Sequence, residues 1–254
     1  MVAVKAKGAY MFDLNGARVF IAGGSSGIGL STAELLISYG VTVVINGRDR
    51  KKLEVAQKQL GDHASIACFD AADQNSRERA LSEIGTFDHM VISLSGGKGA
   101  GPFAQIMPKD LRSGFEAKFW PYFSLTQNSL SYLNESGSIT FVSAGSARAA
   151  IPGTSGLSAI NSAIEGLIKP LAVELKPRRV NAVAPGVIDT PWWSWMPEDQ
   201  KRETFEKLAA TTPVGRVGKP EDIADAIVFL MGNSFMTGCV LECDGGLRLV
   251  GQSL

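Results

Sequence analysis

Seven short apolar runs, each rich in β-branched residues, alternate with longer amphipathic stretches along the chain. They are ARVFIA (17–22), VTVVIN (41–46), ASIACF (64–69), HMVISL (89–94), SITFVS (138–143), RVNAVA (179–184) and CVLEC (239–243). Continuous apolar runs of this length fit strands covered on both faces, as in a parallel sheet. Helical periodicity between them predicts helices over 28–38, 51–60, 111–133, 158–175 and 220–231. This alternation specifies a doubly wound α/β sheet of the Rossmann type, with right-handed crossovers and helices on both faces. No repeat, low-complexity segment or separating linker interrupts it, so one domain is expected over residues 1–254.

Charge and residue counts exclude several classes of function. Lys plus Arg and Asp plus Glu each number 25, so no basic surface points to nucleic acid and no charge run to a membrane. Nowhere do eighteen uncharged apolar residues run together, and MVAVKAKGAYMFDLNG has no apolar segment of the secretory kind. A cytoplasmic protein is the expectation. Three cysteines without CxxC spacing and two isolated histidines argue against a metal site, and an odd cysteine count suits a reducing compartment.

AGGSSGIG (Ala22–Gly29) stands directly after the first run and opens a helix. Gly23, Gly27 and Gly29 allow a sharp turn, a close backbone approach to a pyrophosphate and tight helix packing. Ser25, Ser26 and Ile28 complete a loop whose amides would face phosphates at the helix N-terminus. A plain strand–helix turn is the alternative. At the end of the second run, where NAD sites place a carboxylate, the chain has Asn46, Gly47 and Arg48, with Arg50 and Lys51 behind. A guanidinium and no acid favours the 2′-phosphate of NADP(H) over NAD. Otherwise Arg48 merely caps a surface loop.

On these and further motifs the chain resembles the short-chain dehydrogenase/reductase family over nearly its whole length. FDLNGARVFIAGGSSGIG looks like the opening strand and TGxxxGxG loop, with Ala22 where threonine is usual. ACFDAAD puts Asp70 where the family contacts adenine. NAVAPGVIDTP (181–191) looks like the PG motif, implying cofactor roles for Pro185, Gly186 and Thr190. PVGRVGKPEDIADAIVFL and LECDGG are similarly close to pattern. The resemblance also implies a homotetramer or homodimer packed through the helices over 111–133 and 158–175.

The catalytic positions depart from that pattern. PGTSGLSAIN (152–161) carries Leu157 where the family's tyrosine stands and Asn161 where its lysine stands. The serine position falls on Ala144, beside Ser143, and the asparagine position falls on Lys118. No Tyr-x₃-Lys occurs in the chain. Leu157 has no proton to give a developing alkoxide, and Asn161 keeps only a ribose-binding role. Losing a positioned general acid costs about 10²–10⁴-fold.

Lys118 and Tyr122 lie four apart on one helix face and offer a replacement acid, with Pro121 between them as a potential kink. Alternatively, Lys118 pairs with a carboxylate such as Glu116 or snorkels to water. Ser143, Ser146, Ser155 and Ser158 lie nearby, but hydroxyls without a base more commonly cap turns. His89, at the start of the fourth run, reads as structural. Trp192, Trp193 and Trp195, with Met196, belong to a segment around 190–210 that can act as a lid over a hydrophobic or aromatic ligand, or else as a buried aromatic patch.

Three functions remain open on sequence alone. They are an NADP(H)-dependent oxidoreductase with a rebuilt proton donor, a non-redox isomerase or lyase on this fold, and an inactive NADP(H)-binding sensor or partner subunit.

Overall fold

A computed structural model describes residues 13–250. The sequence expectation about a leader segment at residues 1–12 lies outside them. Strands β1 (Arg18–Ala22), β2 (Thr42–Gly47), β3 (Ala64–Cys68), β4 (Phe87–Ile92), β5 (Leu133–Val142), β6 (Arg179–Pro185) and β7 (Val240–Cys243) form one sheet in the order 3-2-1-4-5-6-7. Every pairing is parallel. All seven apolar runs are therefore strands.

Alternate strand residues feed two cores, because successive side chains point to opposite faces. Val19 and Ile21 pack with α1 (Gly27–Ser38), α2 (Arg50–Leu60) and α8 (Pro220–Gly232) through Leu36, Leu53 and Ile227. Phe20 and Ala22 pack with α3 (Gln74–Ile84), α5 (Phe119–Ser129) and α6 (Ser155–Glu174) through Leu81, Leu125 and Ile164. Sequential order reverses at β1, which lies between β2 and β4. A crevice opens at the carboxyl ends of strands at such a switch point.

The helix expected over 111–133 is two helices. α4 (Pro108–Ala117) ends and α5 begins at Lys118, whose backbone lies at φ −127°, ψ −62°. Pro121 is the cause, since it has no amide to bond the Ala117 carbonyl and its ring crowds that carbonyl. The break turns Lys118 inward, to 8% exposure, at the point where the chain passes the crevice. α7 (Glu198–Thr211) occupies the expected lid segment and contributes no fully buried side chain. Among the described residues no helix is long and apolar enough to cross a membrane.

Candidate active site

Two joined cavities open at the carboxyl edge of the sheet. The first, about 400 Å³, runs from the loop Gly23–Ile28 past the ends of β2 and β3 to Thr190 and Trp192. Gly23 adopts φ +83°, and a Cβ there would stand 2.5 Å from the Ser93 carbonyl oxygen. A Cβ on Gly29 would lie 2.1 Å from the Gly23 carbonyl, so only glycine lets α1 start this close to the loop. Ser26 begins α1 without making a side-chain cap, and the first turn holds no acid. Free amides and a positive helix end therefore face this cavity, a ready site for phosphate.

Arg48 and Lys52 stand at the far end of the same cavity. Asp49, between them, uses its carboxylate to cap α2 through the Lys52 amide at 3.2 Å. Arg50 instead pairs with Glu54 on the helix surface. The second cation is thus Lys52, not Arg50 or Lys51 as proximity in sequence suggested, because capping by Asp49 starts α2 and swings position 52 toward the crevice. Asp70 lines the wall, its Oδ1 accepting from the Ala72 amide at 2.9 Å. Glycine cradle, open helix end and distal cations fit a dinucleotide bearing an extra phosphate.

The second cavity, about 370 Å³, shares Ile28, Ser93, Leu94, Ser95, Thr190 and Trp192 with the first. Its walls are mostly apolar, with Ile151, Leu157, Val187, Trp193, Leu208 and Leu247 prominent. Lys118 enters it from the helix break. Lys118 Nζ donates to Asn161 Oδ1 at 2.7 Å and to the Ser143 carbonyl at 3.2 Å, and among the described residues no carboxylate forms an ion pair with it. Burial draws its pKa down to about 8, while the more distant Glu165 charge works in the opposite direction. Lys118 neither pairs with Glu116 nor reaches water by snorkelling.

A charged ladder backs this cavity. Glu165 accepts from Ser143 Oγ at 2.8 Å and from Arg148 Nε at 3.0 Å, and Arg148 also holds Glu242. Arg248 binds Glu242 and Asp244.

The family model described as enoyl-(acyl carrier protein) reductase matches residues 22–248. The chain is 30% identical to "short-chain dehydrogenase/reductase fsr5" of Gibberella fujikuroi, over 95% of this chain and 98% of that protein. This chain belongs to the short-chain dehydrogenase/reductase family. It is similar to "cis-4-hydroxycyclohexanecarboxylate dehydrogenase" of Sinomonas cyclohexanicum, at 31% identity over 91% of this chain and 96% of that one. A small-chain dehydrogenase solved in complex with NADPH superposes with a TM-score of 0.81 at 33% identity, covering 92% of this chain and 99% of that one. The reductase/Diels-Alderase MalC of Malbranchea aurantiaca does so with a TM-score of 0.84 at 27% identity, covering 93% and 97%.

Within this short-chain dehydrogenase/reductase, Ala144, Leu157, Asn161 and Lys118 all line the second cavity. These four side chains therefore border one space. Several expected assignments need correction. Tyr122 is not in either cavity: it is fully buried, and its hydroxyl sits between the carbonyls of Val142 (2.7 Å) and Leu94 (3.0 Å). Burial pushes that phenol far above its ordinary pKa, so it is a strut rather than an acid. Ser143 Oγ likewise turns back to Glu165, leaving only its carbonyl toward Lys118.

Asn161, Pro185 and Gly186 line the second cavity, next to the Thr190 edge that it shares with the first. The Asn161 amide is consumed locally, by Lys118 on oxygen and by the Leu157 carbonyl at 2.8 Å on nitrogen. Trp195 is 65% exposed and lines neither cavity. Its ring stacks on Trp193, whose indole nitrogen is anchored to the Ile188 carbonyl at 3.0 Å. Asp244, Arg248 and Leu208 went unnoticed in sequence. LECDGGLRL offered a motif for the first two, but their place in the cavity depends on how the chain folds back after β7.

Proposed function

We propose that the protein is an NADP(H)-dependent oxidoreductase that interconverts a hydrophobic or aromatic carbonyl compound and its alcohol, with Lys118 as proton donor. The carrying observation is the 2.7 Å contact between Lys118 Nζ and Asn161 Oδ1 in the wall of the second cavity. The family's lysine and asparagine positions have exchanged residues, so an ammonium is retained while its helix of origin changes. The coenzyme, when bound, supplies or accepts the hydride. Gly23, Ser25, Ser26, Gly27 and Ile28 would hold its pyrophosphate, with Arg48 and Lys52 at its 2′-phosphate and Thr190 near its nicotinamide end.

Lys118 then does what a phenol does elsewhere in the family. As an ammonium it donates to the carbonyl oxygen and stabilises the developing alkoxide in an apolar surround, where such a charge acts strongly. As a neutral amine it keeps both hydrogens on Asn161 and Ser143 and offers its lone pair to an alcohol proton. Trp192 and Trp193 exclude water from one side. Assembly as a homodimer or homotetramer belongs to the same reading, and the exposed Trp120 and Phe123 of α5 support it.

The test is calorimetric titration with NADPH and NADH, then turnover of NADPH with aromatic carbonyls by wild type and Lys118→Met. Preference for NADPH and turnover lost in the variant are expected. Turnover that survives the variant overturns the role of Lys118, and absence of NADPH binding overturns the whole reading. A non-redox step is the second reading. The missing phenol favours it, as does similarity to MalC, whose description joins a reductase to a Diels-Alderase.

A further inference from the structure

We propose that the second cavity selects ligands carrying an acidic hydroxyl, a phenol or a stabilised enol, and binds that oxygen as the anion on Lys118 Nζ. This deepens the reading above by naming the ligand class, but it depends only on the placement of Lys118 and not on hydride transfer.

An ammonium has three N–H groups, and Lys118 spends two, on Asn161 Oδ1 and the Ser143 carbonyl. Both acceptors are neutral. The third N–H belongs to a side chain that lines the cavity and is more than nine-tenths buried. A buried cation without a carboxylate in contact is costly, and an anionic guest relieves that cost where a neutral one does not.

The other charged groups around it are already matched. Glu165, from α6, is taken by Ser143 and Arg148. Asp244 and Glu242 are taken by Arg248 and Arg148. Tyr122, from α5, donates its single hydroxyl hydrogen to the Val142 carbonyl and lends Lys118 only its ring, at 5.7 Å. An ammonium with no carboxylate in contact therefore faces a mostly apolar chamber, whose other cation, Arg248, is already neutralised by Glu242 and Asp244.

That count discriminates between anions. A carboxylate has about four acceptor sites, more than the free Lys118 N–H and the Ser95 and Ser146 hydroxyls of the lining can meet together. A phenolate or enolate has a single oxygen whose charge spreads into a flat carbon framework. Leu157, Ile151 and the Trp192–Trp193 pair, packed edge to face at 4.8 Å, suit such a framework.

The probe is 4-nitrophenol, with 4-nitroanisole and 4-nitrobenzoate as controls, added to the protein without coenzyme. At a pH below the free phenol's own pKa, bound probe should take on the yellow colour of the phenolate. An opposite charge in contact lowers a pKa by about 1–3 units, so the ionised fraction should rise at least tenfold on binding. Binding should exceed that of the methyl ether at least tenfold. Colourless binding, or equal affinity for the ether, overturns the proposal. Tighter binding of 4-nitrobenzoate overturns it in favour of carboxylic acids.

Lys118→Met should abolish the colour while leaving the far-ultraviolet circular dichroism unchanged. If that variant fails to fold, the wild-type comparison of phenol against ether decides alone. Because no arm contains coenzyme, failure here leaves the redox reading intact, and failure of NADPH binding leaves this one intact.

Discussion

Glu165 Oε1 accepts the Ser143 hydroxyl at 2.8 Å, and the carbonyl of the same serine accepts Lys118 Nζ at 3.2 Å. A carboxylate thus stands one residue behind the ammonium, where it supports the charge without neutralising it by contact. Burial lowers the Lys118 pKa to about 8, and Glu165 limits that fall. Carbonyl reduction, which needs the ammonium, should decline as pH rises through about 8, whereas alcohol oxidation should rise. Glu165→Gln removes the opposing charge and should move both profiles down by roughly one pH unit. Parallel loss of rate at every pH, with the midpoint unmoved, would show a purely structural role.

The same depressed pKa has a consequence for stability. Between about 8 and the ordinary lysine value of 10.5 the unfolded chain binds more protons than the folded one. Stability should therefore rise with pH across that window, by about 3 kcal/mol at most. Lys118→Met should flatten the rise in urea titrations.

His89 makes the acid-side counterpart. It sits in β4 opposite Ser138, with Nδ1 2.8 Å from Ser138 Oγ, and burial followed by the Arg179 charge holds its pKa at about 4. The folded imidazole stays neutral below 6.5 while the unfolded one protonates. Stability is then lost as pH falls from 6.5 toward 4, by up to about 3 kcal/mol. His89→Asn should remove most of this slope in thermal melts, with NADPH binding unaffected at pH 7.

Arg48→Ala and Lys52→Ala each remove a charge from the distal end of the dinucleotide cleft. A charge-assisted contact contributes about 1.5–3 kcal/mol, so NADPH affinity should fall roughly 10–100-fold while NADH affinity is nearly unchanged. Equal loss for both coenzymes in a calorimetric titration would show that these cations do not read the 2′-phosphate.

The two neighbouring tryptophans should behave differently. Trp193, half-buried against Phe205 and anchored to Ile188, should cost 3 kcal/mol or about that on truncation to alanine and raise KM for aromatic ligands. Trp195→Ala, at an exposed position, should stay within about 0.5 kcal/mol in stability. Urea titration and steady-state kinetics distinguish them.

The strands were legible because parallel strands buried on both faces carry an unbroken apolar signal, and all seven runs contained one. The glycine loop was legible for a local reason too, since its backbone needs are met by residue type. What escaped was set by tertiary context. The inward turn of Lys118 depends on a helix break that Pro121 signals without fixing in direction. Tyr122, four residues on, shares the helical face in sequence but is carried below the cavity floor onto the Val142 carbonyl. Arg248 reaches the cavity only because the chain folds over after β7, and no spacing in the sequence encodes that return.

The Lys118–Asn161 exchange proposed above also bears on how such a site can be reached by mutation. Of the two single steps between the exchanged and the usual arrangement, Lys118→Asn leaves no cation and Asn161→Lys crowds two into one buried contact. The second intermediate should lose about 3–5 kcal/mol, and the double variant should recover much of it. The route through Asn161→Lys thus crosses a valley in stability, whereas the route through Lys118→Asn gives up only the cation. What keeps Lys118 in place is therefore the chemistry proposed for it, because the fold alone would be more stable without a buried ammonium at that point.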